Sequence, residues 1–363
     1  MSRRILLVVP RMNIGGAETY VRELALGLKA RGYEVFVASG GGALAKELGQ
    51  KGIRQFWLPL RLHAGLAAWL LSRIVKKYSI DIVHANSAAA GIAAVKIKSR
   101  LPIKIVYTAH GVFGHNAKEL TIEKADKIIC VSNFVERYAE DKGYSPEKLV
   151  TIYTGINTEK FASHEEEKSI LRRQFNIPED AFTLAIVARI KNLKNKGHED
   201  ILDILQNGEK AKAWHLLVIG KGKGLRQLKA MIKQKRLSDR VHCIGHSSQV
   251  QTILPAVDAV VLPSKLETFG LVLAEAMAMA KPAAAYAVGG TPEIICDGDN
   301  GFLAKLNDKE ELYQKLSLWS ENRSLCQQMG QRGRACVEER FAYDKMLDAV
   351  EALYQDLLTA IDK

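Results

Sequence analysis

Short apolar runs recur along the chain, separated by longer amphipathic stretches. The first covers residues 5–9 (Ile-Leu-Leu-Val-Val), followed by a loop through Gly15-Gly16 and a helical pattern from about Ala17 to a stop at Gly32. Further runs lie at 34–39, 53–58, 81–85, 103–109, 127–131 and 149–153. Continuous apolar strands interleaved with helices predict a parallel sheet covered on both faces, one Rossmann-like domain. A polar segment from His164 to Pro178 reads as a linker. A second series follows at 182–188, 214–219, 241–244, 258–262 and 283–286, a second domain of the same class. Helical pattern then runs from about Asp308 to the end, broken near residues 341–344, with a last helix predicted over 346–358.

One stretch combines strand, turn and helix with chemistry. The run at 258–262 is followed by Pro263-Ser-Lys-Leu-Glu267-Thr-Phe269-Gly270-Leu271, and residues 271–280 are rich in helix formers. A helix starting after Gly270 leaves the amides of Phe269, Gly270 and Leu271 without helical partners, a place for anionic oxygens. Glu267 precedes that helix and Glu275 lies one turn beyond Leu271, so both carboxylates can border one ligand and accept hydrogen bonds from sugar hydroxyls. The plainer reading makes Glu267 a helix cap and Glu275 a solvated surface charge.

Composition narrows the class. With 363 residues, 47% hydrophobic and 25% charged, the chain fits two globular domains rather than a disordered protein. Its apolar stretches are too short for a signal peptide or a membrane span. Five widely spaced cysteines without a Cys-x-x-Cys word argue against a disulfide framework or a zinc site and point to the reducing cytoplasm. The net charge of +12 is uneven: residues 1–160 carry 24 Lys+Arg against 13 Asp+Glu, whereas 161–363 carry 28 against 27. The first half is therefore expected to face something anionic. In the segment 61–78, Leu62, Leu66, Trp69, Leu70 and Ile74 fall near helical spacing among Arg61, Arg73, Lys76 and Lys77. Such a helix either packs its apolar stripe on the sheet or rests on an anionic membrane surface.

Other candidates sit at strand ends, where ligands of open α/β sheets bind. Arg189 ends the first strand of the second series, and Lys196-Gly197 follows, both suited to a phosphate group; Lys194 is a rival to Lys196. Gly220-Lys-Gly222-Lys-Gly224 with Asp239 further on lacks the third glycine of the dinucleotide fingerprint and comes too late in the domain for one. Asp297-Gly-Asp299 has a metal-binding form but reads as a turn within Asp297-Gly-Asp-Asn-Gly301. His110 and His84 both end strands.

Ser264-Lys-x-Glu267-Thr-Phe-Gly270-Leu-x-Leu-x-Glu275-Ala-Met, then Lys281-Pro282 and Gly289-Gly290-Thr-Pro-Glu293, resembles the donor-site signature of glycosyltransferase family 4. Matching words run from Gly15 to Phe341. The resemblance implies an α/β GT-B fold, two Rossmann-like domains facing each other across a cleft. Residues 1–162 would form the acceptor-side domain, with the terminal helix, 343–363, packing back onto it, and 163–342 the nucleotide-sugar domain. It implies a retaining hexosyltransferase that uses a nucleoside diphosphate sugar and needs no cofactor or metal. Arg189 and Lys196 would take the diphosphate, with Lys196 favoured by its Lys-Gly-His word; Glu267 would hold the donor sugar and Glu275 the ribose. Gly15-Gly16 would approach the phosphate, His110 the transferred sugar, and Gly220 and Ile244 would help enclose the base. His84 matches the family word less well than His110, and Tyr153-Thr-Gly155 stands where the family often has Pro-Asn-Gly, leaving Thr154 without a role. The expected acceptor is a glycan or lipid-linked hydroxyl in cell-surface polysaccharide or lipopolysaccharide assembly, reached from the cytoplasmic face of the membrane. A sugar-nucleotide epimerase of the same fold is the alternative; nucleic acid is not expected as a partner despite the basic charge.

Overall fold

The computed structural model describes residues 3–359 apart from 14, 62, 63, 115, 162–166 and 248. The chain divides into two compact units, Met1–Gly155 with Asp344–Lys363, and Ile156–Tyr343. Each is built on one all-parallel sheet.

In the first unit the strands are β1 (Arg4–Val8), β2 (Glu34–Ser39), β3 (Arg54–Trp57), β4 (Ile82–Ala85), β5 (Lys104–Ala109), β6 (Lys127–Cys130) and β7 (Leu149–Thr151), in the order β3-β2-β1-β4-β5-β6-β7. The central strands are apolar on both faces because helices cover both: Ile5, Leu6, Leu7 and Val8 are fully buried. The order reverses between β1 and β4, so the loops beyond their carboxyl ends flank a switch point. The helix Tyr343–Thr359 packs on this unit. Glu351 accepts from the Arg31 guanidinium (2.9 Å) and the Tyr33 hydroxyl (3.1 Å), and the Tyr354 hydroxyl lies 2.5 Å from His84 Nδ1.

The second unit holds β8 (Phe182–Val187), β9 (Trp214–Ile219), β10 (Val241–Gly245), β11 (Ala259–Leu262), β12 (Ala283–Tyr286) and β13 (Gly301–Ala304), in the order β10-β9-β8-β11-β12-β13. Its switch point lies between β8 and β11. The strand β13, absent from the sequence reading, is four residues long and starts with glycine; it pairs with β12 at the sheet edge.

Two expectations are corrected. The polar segment from His164 to Pro178 is not simply a linker. Residues 162–166 lie outside the described residues, but Lys168–Gln174 is a helix whose Arg172 is buried in the second unit. Its guanidinium donates to Ala256 O (3.0 Å) and Asp258 Oδ2 (3.0 Å), which offsets the burial of its charge. In the helix Ala64–Tyr78, the buried face is Ala67, Ala68, Leu71 and Val75; Leu66 and Trp69 are exposed, and Leu62 lies outside the described residues. The predicted stripe is therefore not what packs on the sheet. No helix among the described residues is long and apolar enough to cross a membrane.

Candidate active site

The loops after β8 and β11 meet beyond the switch point of the second sheet. Lys265 N donates to Asn195 O (3.0 Å), pinning one loop to the other. That pairing carries Lys196 to Glu267, with Nζ 2.5 Å from Oε1. The pair is partly shielded, the Glu267 side chain 13% exposed and that of Lys196 33%. Lys194 in the same loop is exposed, and its side chain has no hydrogen-bond or ion-pair partner among the described residues. Arg189 is likewise exposed and unpaired among the described residues, a cation available to an incoming anion.

Glu267 is not a helix cap. The helix Leu271–Ala278 is capped by Gly270 at φ 100°, a left-handed conformation natural only to glycine, and the cap residue brings no side chain to its first turn. The helix start at Gly270 thus carries no capping side chain of its own, and the carboxylate of Glu267 pairs with Lys196. The backbone of Glu267 is clamped from below: Gly290 N donates to its carbonyl (2.9 Å), and a Cβ at Gly289 would lie 1.9 Å from the same oxygen. Only glycine fits there, which gives the Gly-Gly-Thr-Pro-Glu word a physical reason. Leu271 and Glu275 lie half-buried on the open side of the helix. Phe269 is expected at the site through its backbone amide. It is buried, its ring edge-on to Phe341 at 5.5 Å, so that only its backbone belongs to the site.

Around this centre the Gly220 loop folds onto the start of the Arg189 loop, through Ile190 N to Lys221 O (3.0 Å) and Gly224 N to Ile190 O (2.9 Å). Gly220 N donates to Gly245 O (2.7 Å), bringing the end of β10, with half-buried Ile244, alongside. Gly220, Ile244 and Arg189 thus border one stretch of the sheet's carboxyl edge. Sequence reasoning gave no role to Ser264, in the loop after β11, whose hydroxyl is fully buried and has no hydrogen-bond partner among the described residues. A polar residue two positions past an apolar strand, at the head of the matched word, was the available signal.

The first unit presents its own groups at the β1/β4 switch point. Gly15 caps the helix Gly16–Ala30 without a side chain, and the space beside the Gly16 Cα is open. His110 follows β5, and its Nε2 lies 3.1 Å from Asn86 Oδ1. Asn86 Nδ2 donates to His84 O (3.0 Å), so Oδ1 is the acceptor and the His110 proton sits on Nε2. Burial lowers the His110 pKa to about 3, which makes it a neutral hydrogen-bonding group rather than an acid. His84 is fully buried between the Tyr354 hydroxyl and Thr108 Oγ1 (2.6 Å), and burial, then the neighbouring His110, lowers its pKa to about 3 as well. Asn86, buried at the end of β4, was not anticipated.

Asp297 accepts from Leu303 N (2.9 Å) and pairs with Lys315 (2.8 Å), while Asp299 pairs with Arg332 (2.9 Å) around Gly298 at φ 80°. These contacts account for both carboxylates as parts of a turn.

Two family models match the chain: Glycosyltransferase Family 4 over residues 14–160 and Glycosyl transferases group 1 over 167–335. Among curated proteins, the N-acetyl-alpha-D-glucosaminyl L-malate synthase of Bacillus anthracis is 27% identical over 302 residues, 79% of this chain and 78% of that protein. A glycosyltransferase from Rickettsia africae superposes with a TM-score of 0.87 at 24% identity, covering 98% of this chain and 99% of that one. Anabaena HepE, solved with UDP and glucose, superposes with a TM-score of 0.86 at 21% identity, covering 97% and 99%. The chain belongs to the family-4 type of glycosyltransferases, enzymes that transfer a sugar, and its two parallel-sheet Rossmann-like units are those of the GT-B fold.

Proposed function

We propose that the enzyme moves a hexose-type sugar from a nucleoside diphosphate to an acceptor hydroxyl with retention at the anomeric carbon. The observation that carries this reading is the Lys196–Glu267 pair at the β8/β11 switch point, beside the side-chain-free helix start at Gly270. A diphosphate there meets Arg189, Lys196 and the first-turn amides, while Glu267 accepts from sugar hydroxyls and Glu275 from the ribose. Two cations supply several kcal/mol to a departing diphosphate, since one pair at ~4 Å is worth ~4 kcal/mol at an effective dielectric of ~20 before desolvation is subtracted. No metal is called upon. Gly220 and Ile244 line the base, and Gly15, Gly16 and neutral His110 serve phosphate and sugar from the first unit. Retention follows front-face attack: the acceptor oxygen bonds to the anomeric carbon as the carbon–phosphate oxygen bond breaks, and the acceptor proton passes to the departing phosphate.

The acceptor we propose is a glycan or lipid-linked hydroxyl in cell-surface polysaccharide or lipopolysaccharide assembly, met at the inner face of the cytoplasmic membrane; the basic first unit supports that choice. A panel of nucleotide sugars, offered with and without lipid-linked acceptors, tests the reading. Product with the donor's anomeric configuration supports it. Isomerised nucleotide sugar without transfer would favour an epimerase.

A further inference from the structure

We propose that Asn86 is a positioning residue of the transfer reaction: its carboxamide fixes the proton of His110 on Nε2 and so leaves Nδ1 as an acceptor for a hydroxyl of the transferred sugar. The inference rests on the placing of His110 at the donor sugar proposed above and names what sets that histidine's chemistry.

The order of donors and acceptors is forced from a backbone carbonyl outward. His84 lies in β4, between β1 and β5, in register with Leu7 and Val106. Its imidazole is held on both sides, Nδ1 by the Tyr354 hydroxyl and Nε2 by Thr108 Oγ1. Its carbonyl can only accept, so the Asn86 atom 3.0 Å away is the amide nitrogen, and Oδ1 is the atom turned to His110. Turning the carboxamide over would set two oxygens against each other at that distance. Asn86 is 1% exposed, so water cannot relieve the mismatch. One buried hydrogen bond left unmade disfavours the turned form by roughly tenfold or more.

Oδ1 in turn only accepts, which places a proton on Nε2 of His110, 3.1 Å away. Burial holds the ring's pKa at about 3, so it takes no second proton near neutrality. Nδ1 is therefore an acceptor. It suits a sugar group that brings a proton, a hydroxyl, and disfavours a carboxylate, which brings none. Asn86 and His110 each stand one residue past the end of a strand, and β4 and β5 are neighbours, so sheet register sets their spacing. Tyr20, in the helix Gly16–Ala30, lays its ring edge-on to His110, with centroids 4.7 Å apart and planes at 70°, and hinders rotation of the imidazole. The titratable groups set against His110 include Tyr20, whose pKa burial raises to about 12, and His84, lowered to about 3 by burial first. Both are neutral at pH 7 and leave the ring without a charge from either side.

The tautomer is read directly by long-range proton–nitrogen NMR on the full chain labelled with nitrogen-15 histidine, the His110 signals being those lost in His110→Ala. The parent should show His110 neutral with its proton on Nε2 from pH ~6 to ~8. A proton on Nδ1, or a cationic ring, would overturn the proposal whether or not any Asn86 variant folds. Asn86→Leu should admit the Nδ1–H form, and a spectrum like the parent's would contradict the assignment. In transfer assays Asn86→Leu should lower kcat/KM by about tenfold or more, but by less than about twofold in a His110→Ala background, where there is no imidazole left to orient. Equal losses in both backgrounds would reduce Asn86 to a structural residue. Asn86→Asp sets a carboxylate against Nε2 and favours a second proton on the ring. Its kcat/KM should gain an inflection between pH ~5 and ~8 that His110→Ala removes, and a profile as flat as the parent's would count against the proposal. The expected tautomer with transfer that His110→Ala leaves unchanged would discard the placing of His110 at the sugar. The opposite tautomer with transfer that His110→Ala impairs would discard the role of Asn86 alone.

Discussion

Glu267 Oε1 stands 2.5 Å from Lys196 Nζ, and this pair joins the loops after two neighbouring strands. Lys194, two residues earlier, projects from the same loop without a partner among the described residues. Lys196→Ala is therefore expected to lower kcat by about 10²-fold or more, the usual cost of removing a charge-stabilising group, while Lys194→Ala stays near the parent. Steady-state transfer assays check both. Because Lys196 and Glu267 act on one another, the double alanine variant should fall little further than the worse single one.

Activity is expected to survive EDTA. Asp297 and Asp299 are engaged by Lys315 and Arg332, leaving no carboxylate of that turn unpaired. Loss of turnover on chelation, restored by magnesium or manganese, would assign that turn to a metal after all.

Asp258 holds the second unit together. Its carboxylate, 11% exposed, pairs with Lys168 (2.9 Å), Arg172 (3.0 Å) and Arg323 (2.8 Å) and accepts from Thr183 N. Asp258→Ala leaves Arg172 buried without its carboxylate and should cost about 3 kcal/mol in urea unfolding. Burial works to raise the carboxyl's pKa, but the three cations and the Thr183 amide outweigh it and hold the pKa below the usual value. Its stabilisation is thus present above the unfolded value of ~3.9 and is lost as pH falls through the lower folded one. The variant should show a shallower acid limb.

The buried histidines act in the other pH range. His84, fully buried with its pKa lowered to about 3, is neutral when folded but titrates near ~6.5 when unfolded. Stability is full above the unfolded value and falls as pH drops towards the folded one, by about 2 kcal/mol between pH ~6.5 and ~5. His84→Gln should remove that part of the pH dependence, as read by urea midpoints at the two pH values. His110, also lowered to about 3, stays neutral over the same interval, and the pH profile of kcat should show no inflection that His110→Ala removes.

The architecture was legible because buried parallel strands are continuous apolar runs; each of the twelve runs read as a strand is a strand of one of the two sheets. Two misreadings share one cause, the weight given to single side chains over their neighbours. The segment around Arg172 looked like a linker because its charges are paid for by Asp258, which lies 86 residues away. The helix Ala64–Tyr78 was read by its large residues, yet the alanines pack because a neighbouring alanine-rich helix lets the backbones approach. At the site itself, Glu267, Lys196 and Gly270 were visible in the sequence. Ser264 was visible only as the first residue of a matched word, without a role, and Asn86 was not, since one polar residue after an apolar strand carries no pattern of its own.

A crystal structure of the enzyme with a nucleoside diphosphate bound tests the central claim most directly. The account predicts the diphosphate on Arg189, Lys196 and the amides at the start of the helix Leu271–Ala278, the ribose on Glu275, and the base beside Gly220 and Ile244. A nucleotide bound elsewhere, or a diphosphate that leaves the Lys196–Glu267 pair and the Gly270 amides untouched, would contradict it.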